Sequence, residues 1–218
     1  MDSPPPIRVV LVDDHDLFRK GVRQLLDTEG IEVVAEAADG DRAVEVIGDR
    51  APDVAVMDIH LPGRSGIEAT REVRRRSPAT RVLVLSVSED DDDIAEAIAA
   101  GACGYLLKDS AVEDVAEGVR SATRGESKLS ARIAARLLDR LQQATSSAGA
   151  TPADEVQPTA RELEILGLIA AGRDTATVGG DLGISAPEVR NHIANVLAKL
   201  QARDRLDAAS SRSGTGGG

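Results

Sequence analysis

Pro52-Asp53-Val54-Ala55-Val56-Met57-Asp58-Ile59-His60-Leu61-Pro62-Gly63 is the stretch whose reading decides the fold. Four apolar residues, Val54 to Met57, run into a carboxylate and then a Pro-Gly turn. A short apolar run bounded by turn signals is the pattern of a strand buried on both faces. Asp58 then stands at the carboxyl end of that strand, the edge where open parallel sheets bind ligands. A carboxylate there is a poor choice for packing, so a chemical role is expected.

A second stretch, Ile7-Arg8-Val9-Val10-Leu11-Val12, reads as another buried strand and ends on Asp13-Asp14. If the two strands are parallel neighbours, three carboxylates meet at one edge. Like charges that close stay ionised together only if a cation joins them. An oxygen-only, partly open set suits Mg²⁺. Asp58, so neutralised, could act as a nucleophile toward a phosphoryl donor.

The rest of the N-terminal half alternates. Helical spacing follows Asp14, Ile31 to Ala35 is a strand, and Asp41 to Arg50 is a helix. A helix runs from Gly66 to Arg76, a fourth strand from Arg81 to Val87, and a helix from Ile94 to a Gly101 cap. Gly104 to Leu107 is the fifth strand, followed by a fifth helix. Alternating strands and helices imply a parallel sheet covered on both faces. Ser86 and Lys108 end the fourth and fifth strands, so five polar residues converge on one edge. Lys108 could hold a phosphoryl oxygen as a point charge, and the Ser86 hydroxyl could donate to another.

These residues carry a resemblance. The run Val10 to Arg19, the Met57-Asp-Ile-His-Leu-Pro-Gly63 turn and the run Gly101 to Asp109 resemble the receiver domain of bacterial two-component response regulators, in the form of the NarL/FixJ subfamily. The resemblance implies a doubly wound, flavodoxin-like α/β fold over 7–125. It implies that Asp58 accepts phosphate from a sensor histidine kinase. Asp13, Asp14 and Asp58, with the His60 backbone carbonyl, would bind Mg²⁺. Lys108 would contact the phosphoryl group, and Ser86 and Tyr105 would form the switch pair. His15 and His60 read as neighbours that tune access to the acid pocket, and the acidic run Glu89 to Asp93 as a solvated helix start.

Charge separates the chain into two parts. Residues 7–125 hold 15 Lys+Arg against 25 Asp+Glu, so the overall net charge of −11 is almost wholly an N-terminal property. An acidic domain of this kind is a poor nucleic-acid binder. Residues 158–209 hold six Lys+Arg against seven Asp+Glu, without the usual basic excess of a DNA-binding module. A single Cys excludes an internal disulfide. No signal-peptide core or run of transmembrane length is evident, and a cytoplasmic protein without a membrane partner is expected.

Glu126 to Gln143 is expected to be helical, and the Thr/Ser/Ala/Pro composition beyond it to be linker, giving a 126–157 extension. From 158 to 210, capping-box patterns at Thr159/Glu162 and Ser185/Glu188 start helices. Two short helices joined by a turn at Gly183 fit helix-turn-helix, and a last short helix is expected over Asp204 to Ser210. The tail 211–218 is expected to be disordered.

This all-α segment resembles a LuxR-type DNA-binding domain. It departs from the family pattern, with Pro187 and Glu188 where a Lys-Thr pair usually enters the recognition helix. Arg190, Asn191 and His192 are expected on the open face, reading promoter DNA, with Lys199 and Arg203 on phosphates. Together these features predict a phosphorylation-switched transcription regulator, a homodimer at least when phosphorylated, with no enzymatic activity beyond its own phosphorylation and dephosphorylation. A signalling adaptor whose C-terminal domain binds protein is the alternative. A phosphohydrolase reading is disfavoured, because His60 stands where such enzymes usually place a second Asp.

Overall fold

The structure is a computed structural model that describes residues 5–110, 112–147 and 157–213, and their side chains except at 112, 143–147 and 203–213. Five strands, β1 (Arg8–Val12), β2 (Glu32–Ala37), β3 (Val54–Met57), β4 (Arg81–Ser86) and β5 (Gly104–Leu107), form one parallel sheet in the order β2-β1-β3-β4-β5. The apolar runs make them strands buried on both faces: all four residues of β3 and of β5 are buried. Helices α1 (Asp16–Thr28) and α5 (Val112–Thr123) cover one face, packing on Val9, Leu11, Val56, Leu83 and Leu85. On the other face, α2 (Gly40–Arg50) and α3 (Gly66–Arg76) pack on Val10, Val12, Ala55 and Met57.

Register places the chemistry. Val12 pairs with Met57 across β1 and β3, so the next residues, Asp13 and Asp58, emerge side by side. The Asp58 amide donates to the Val12 carbonyl at 2.9 Å, continuing the ladder one step past the strands. Ser86 pairs with Leu107, and the Lys108 amide donates to the Ser86 carbonyl at 2.9 Å. The turn after β3 then closes back on itself. A Ser65/Glu68 capping box starts α3, and a Cβ on Gly66 would lie 1.8 Å from the Asp58 carbonyl oxygen. Only glycine permits that approach.

Helix α4 (Asp91–Ala100) is capped by the Asp90 carboxylate and ends at Gly101, with φ of 109°. After α5 the chain departs from expectation. Residues 126–130 are not helical. Their backbone lies along the outer edge of β5, where Tyr105 N donates to Lys128 O and Ser130 N to Tyr105 O, both at 3.1 Å. The unpaired groups of an edge strand attract such a segment, and Gly104 leaves room for it, since a Cβ there would meet Lys128 O at 2.7 Å. Helix α6 therefore begins only at Ala131 and runs to Ser147.

The C-terminal helices are α7 (Ala160–Ala170), α8 (Thr175–Leu182) and α9 (Ala186–Ser213). The two expected capping boxes are present. The expected break before a last short helix is not: α9 is continuous, because nothing between Leu200 and Ser213 stops it and Gln201 to Ala209 are all helix-compatible. The linker expected from Ala144 to Gln157 starts late, since α6 continues through 144–147. The tail expected to be disordered over 211–218 is helical over 211–213, as the end of α9. Residues 148–156 and 214–218 lie outside the described residues. These helices share one core with the sheet. Ile94, Ile98, Tyr105 and Leu107 run into Leu129, Ile133 and Leu137, and on to Ile165, Leu166, Ile193 and Val196. Among the described residues, no helix is long and apolar enough to cross a membrane.

Candidate functional site

Carboxylate oxygens of Asp13, Asp14 and Asp58 lie within 4.8 Å of one another at the carboxyl edge of the sheet. Asp13 is 5 % and Asp58 4 % exposed, while Asp14 is open to solvent. Lys108 reaches in from the end of β5, its Nζ 2.7 Å from Asp13 Oδ2 and 2.6 Å from Asp58 Oδ2. The other oxygen of Asp58, Oδ1, accepts from the amides of Ile59 (2.7 Å) and His60 (3.4 Å). Asp13 Oδ1 accepts the His15 amide at 2.8 Å. Backbone amides thus aim one oxygen of each buried carboxylate, and the ammonium takes the other.

Burial pulls the Lys108 ammonium down, but hydrogen bonds to Asp13 and Asp58 outweigh it, and its pKa stands above the ordinary value. Its charge also lies 4.8 Å over the Phe18 ring, an attractive placement. One cation against three carboxylates leaves a net double negative charge. The donor set is all oxygen and one member faces solvent, so the residues present fit a hard divalent cation.

A second network adjoins the cup. Ser86 is fully buried, and its Oγ lies 3.4 Å from the Ser88 amide as acceptor. Tyr105 is also fully buried, and its hydroxyl donates to the Ser88 carbonyl at 3.1 Å. Burial, with Asp93 nearby, pushes the phenol up. Ser88 Oγ donates to Asp93 Oδ2 at 2.6 Å, and His60 Nε2 lies 3.4 Å from the same carboxylate oxygen. The β4–α4 loop is therefore tied to Tyr105 behind it and to the β3–α3 turn in front.

The nominal recognition helix differs from expectation in two places. Arg190 is not on an open face. It is 8 % exposed, its Nε 2.5 Å from Glu126 Oε2, with Glu117 at 3.7 Å and Thr175 Oγ1 at 3.1 Å. Its carbonyl also accepts the Ser127 amide at 3.3 Å. Lys199 does not project freely either, since its Nζ is 2.7 Å from Glu162 Oε2 inside the C-terminal helices. Asn191 is exposed and His192 half-buried. The Arg203 side chain lies outside the described residues. For Arg190 the physical reason is the docking of α9 against the receiver side, which puts Glu126 and Glu117 where DNA was expected. For Lys199 it is the packing of α9 on α7, which carries Glu162.

Residues 9–120 match the response regulator receiver domain family, and residues 158–211 match the bacterial regulatory proteins of the luxR family. The chain belongs to the LuxR-type response regulators. It is 41 % identical over 204 residues to the transcriptional regulatory protein LiaR of Bacillus subtilis, covering 93 % of this chain and 95 % of that one. It is 34 % identical over 210 residues to the nitrate/nitrite response regulator protein NarL of Escherichia coli, covering 96 % of each. Among solved structures, the response regulator ChrA of a heme-sensing two-component system shares 33 % identity, with a TM-score of 0.53 over 95 % of this chain and 98 % of that one. A LuxR-family response regulator from Aurantimonas sp. shares 35 % identity, with a TM-score of 0.59 over 62 % of this chain and 98 % of that one. This response regulator is a transcription-regulating member of a two-component system.

In this response regulator, Asp13, Asp14, Asp58 and Lys108 come together, and Ser86 and Tyr105 meet one adjacent loop. Sequence reasoning missed Gly66, Phe18, Ser88 and Asp93, as well as the Glu126 and Glu117 partners of Arg190. Phe18 had a faint signal as the single Phe of the chain. Glu126 had none, since 64 residues separate it from Arg190.

Proposed function

We propose that Asp58 of this response regulator accepts a phosphoryl group from a sensor histidine kinase in the cytoplasm. We further propose that the modification frees α9 to bind promoter DNA. The observation that carries this is the cup: three carboxylates at one strand edge, with Lys108 bridging Asp13 and Asp58. Asp58 Oδ1 is held by two amides, which leaves Oδ2 as the attacking oxygen. In the transfer, a P–O bond forms to Oδ2 as the P–N bond of a phosphohistidine breaks, and the imidazole departs. Lys108, already 2.6 Å from Oδ2, shifts to a phosphoryl oxygen and keeps its charge paired. The Ser86 hydroxyl donates to a second one. Asp13, Asp14, Asp58 and the His60 carbonyl would hold Mg²⁺, which would supply charge neutralisation. Return to the resting state is hydrolysis of the mixed anhydride by water, so the chain's own chemistry stops at gaining and losing this group.

The boundaries that go with this function are a receiver over 7–125, an extension over 126–157 and a DNA-binding domain over 158–210, with Arg190, Asn191 and His192 toward bases and Lys199 and Arg203 toward phosphates. Arg190 and Lys199 would have to exchange their present carboxylate partners for DNA. Dimerisation on phosphorylation would compensate for a weakly basic domain through effective concentration. The engaged state of those two cations is also what supports the alternative, a phospho-switched adaptor that binds protein. Acetyl phosphate with Mg²⁺ tests the cup: the parent chain is expected to form an acyl phosphate and Asp58→Asn to form none. Undiminished labelling of the variant would overturn the assignment. A salt-dependent shift of promoter DNA on phosphorylation separates the regulator from the adaptor.

A further inference from the structure

The DNA-binding end of this chain has few cations to spend. Among the described side chains of α7 to α9, Arg161 faces Glu164, Arg173 faces Asp181, Arg190 faces Glu126 and Lys199 faces Glu162. Phosphate neutralisation supplies most of the affinity for a duplex, so further positive charge elsewhere in the moving part would strengthen binding.

Helix α6 holds one. Arg132, Arg136 and Arg140 recur every fourth residue and so share one face, about 6 Å apart along the axis. The adjoining row one residue on, about 100° round the helix, with Ile133, Leu137 and Leu141, is buried in the shared core. Helix α6 packs far more extensively along α7 than against α4, and its Leu138 reaches α7 at Gly167. It therefore belongs mechanically to the C-terminal helices.

In the docked form the row is turned onto receiver carboxylates. Arg132 lies 2.5 Å from Glu89 Oε1 and also pairs with Asp109. Arg136 lies 3.8 Å from Asp91 Oδ1, and Arg140 donates to the Asp91 carbonyl at 3.4 Å. The Arg132 and Arg136 side chains are half exposed, and pairs of that kind are held weakly and exchange readily. Arg190 is turned the same way, onto Glu126 and Glu117.

We propose that Arg132, Arg136 and Arg140 form a second contact with the DNA backbone, masked by Glu89, Asp91 and Asp109 in the docked form and exposed when the C-terminal helices leave the receiver. This rests on the DNA-binding reading under the proposed function. It assigns to α6 a ligand, duplex phosphate, and to the start of α4 the role of a phosphate mimic.

The test uses the full chain activated with beryllofluoride and Mg²⁺, and a mixed-sequence duplex, since the backbone contribution is independent of sequence. The slope of log affinity against log salt is measured. Arg132→Ala/Arg136→Ala is expected to flatten the slope by about 1.8, because each neutralised phosphate contributes about 0.9 to it. Arg132→Lys/Arg136→Lys is expected to restore it, which a purely structural role would not do. Glu89→Gln/Asp91→Asn is expected to tighten binding by the unphosphorylated chain without changing the slope of the activated one. An unaltered slope in the alanine variant overturns the assignment of the row. Failure of the activated parent chain to bind any duplex overturns instead the DNA-binding reading on which it rests.

Discussion

Glu126→Gln is the sharpest perturbation of the docked state. The Arg190–Glu126 pair is buried, with side chains 10 % and 6 % exposed, and its 2.5 Å contact is charge-assisted. Removing one partner of a buried pair costs about 3–5 kcal/mol, because the other charge is left in low dielectric. Here the penalty is smaller, since Arg190 keeps Thr175 at 3.1 Å and Glu117 at 3.7 Å. About 2 kcal/mol is a reasonable figure, a factor of about 30 in the docked population. The unphosphorylated variant is therefore expected to bind duplex DNA about 30-fold more tightly than the parent, in a gel-shift or anisotropy titration. Amide exchange at Ser127, whose proton is held by the Arg190 carbonyl, is expected to accelerate in step. Glu117→Gln removes a longer contact to a one-third-exposed carboxylate and is expected to gain well under tenfold. Equal effects of the two variants, or no effect of Glu126→Gln, would refute the claim that this pair holds the recognition helix.

Gly66→Ala would place a methyl group 1.8 Å from the Asp58 carbonyl oxygen and 2.8 Å from the Ile59 Cα, so the turn that aims Asp58 must move. A loss of about 1–3 kcal/mol in urea unfolding is expected, with slower acetyl-phosphate labelling. Acid should loosen the C-terminal helices. Burial pushes the Glu162 carboxyl up, but Lys199 and the Thr159 groups outweigh it and hold it below the ordinary 4.5. A depressed carboxyl stabilises the fold above its unfolded value, and that stability is lost as pH falls through the folded value. The thermal midpoint of the C-terminal helices should therefore drop below pH 4.5, and Glu162→Gln should flatten that acid limb while lowering the neutral plateau.

The receiver was legible because its strands are short apolar runs that each end on a polar residue. Once β1 and β3 are neighbours, the cup follows from the Val12–Met57 register. What could not be read were contacts set by tertiary docking. Helical spacing puts Arg190 at the edge of the Val189/Ile193 stripe, about 60° from Ile193, a position that reads as part of the solvent face. Only the packing of α9 against the receiver side turns that face onto Glu126. Residues 126–130 looked helical because their composition continues into α6, yet the open edge of β5 claimed their backbone groups first. The continuous α9 reflects the opposite case, in which the expected break had no glycine, proline or cap behind it between Leu200 and Asp204.

The scale of the switch can be set against these contacts. Moving a two-state chain from 1:99 to 99:1 needs about 5.5 kcal/mol of differential stabilisation, more than any single exposed pair provides. The β4–α4 loop and the start of α4 gather several: Tyr105 to the Ser88 carbonyl, His60 to Asp93, Arg132 to Glu89 and Arg136 to Asp91. Exposed pairs give about 0.2–1 kcal/mol each and the hydrogen bond about 1 kcal/mol, so their joint loss is at most about 4 kcal/mol. Arg190–Glu126 lies outside that loop and would contribute the remainder, about 2 kcal/mol for a buried pair whose arginine keeps other partners. A phosphoryl group that draws Lys108 and Ser86 toward itself acts on the two residues that end β5 and β4, immediately before the segments carrying these contacts. Displacement of one loop would then suffice to release both the arginine row and, through Tyr105 and its bridge to Leu129, the strand segment that carries Glu126.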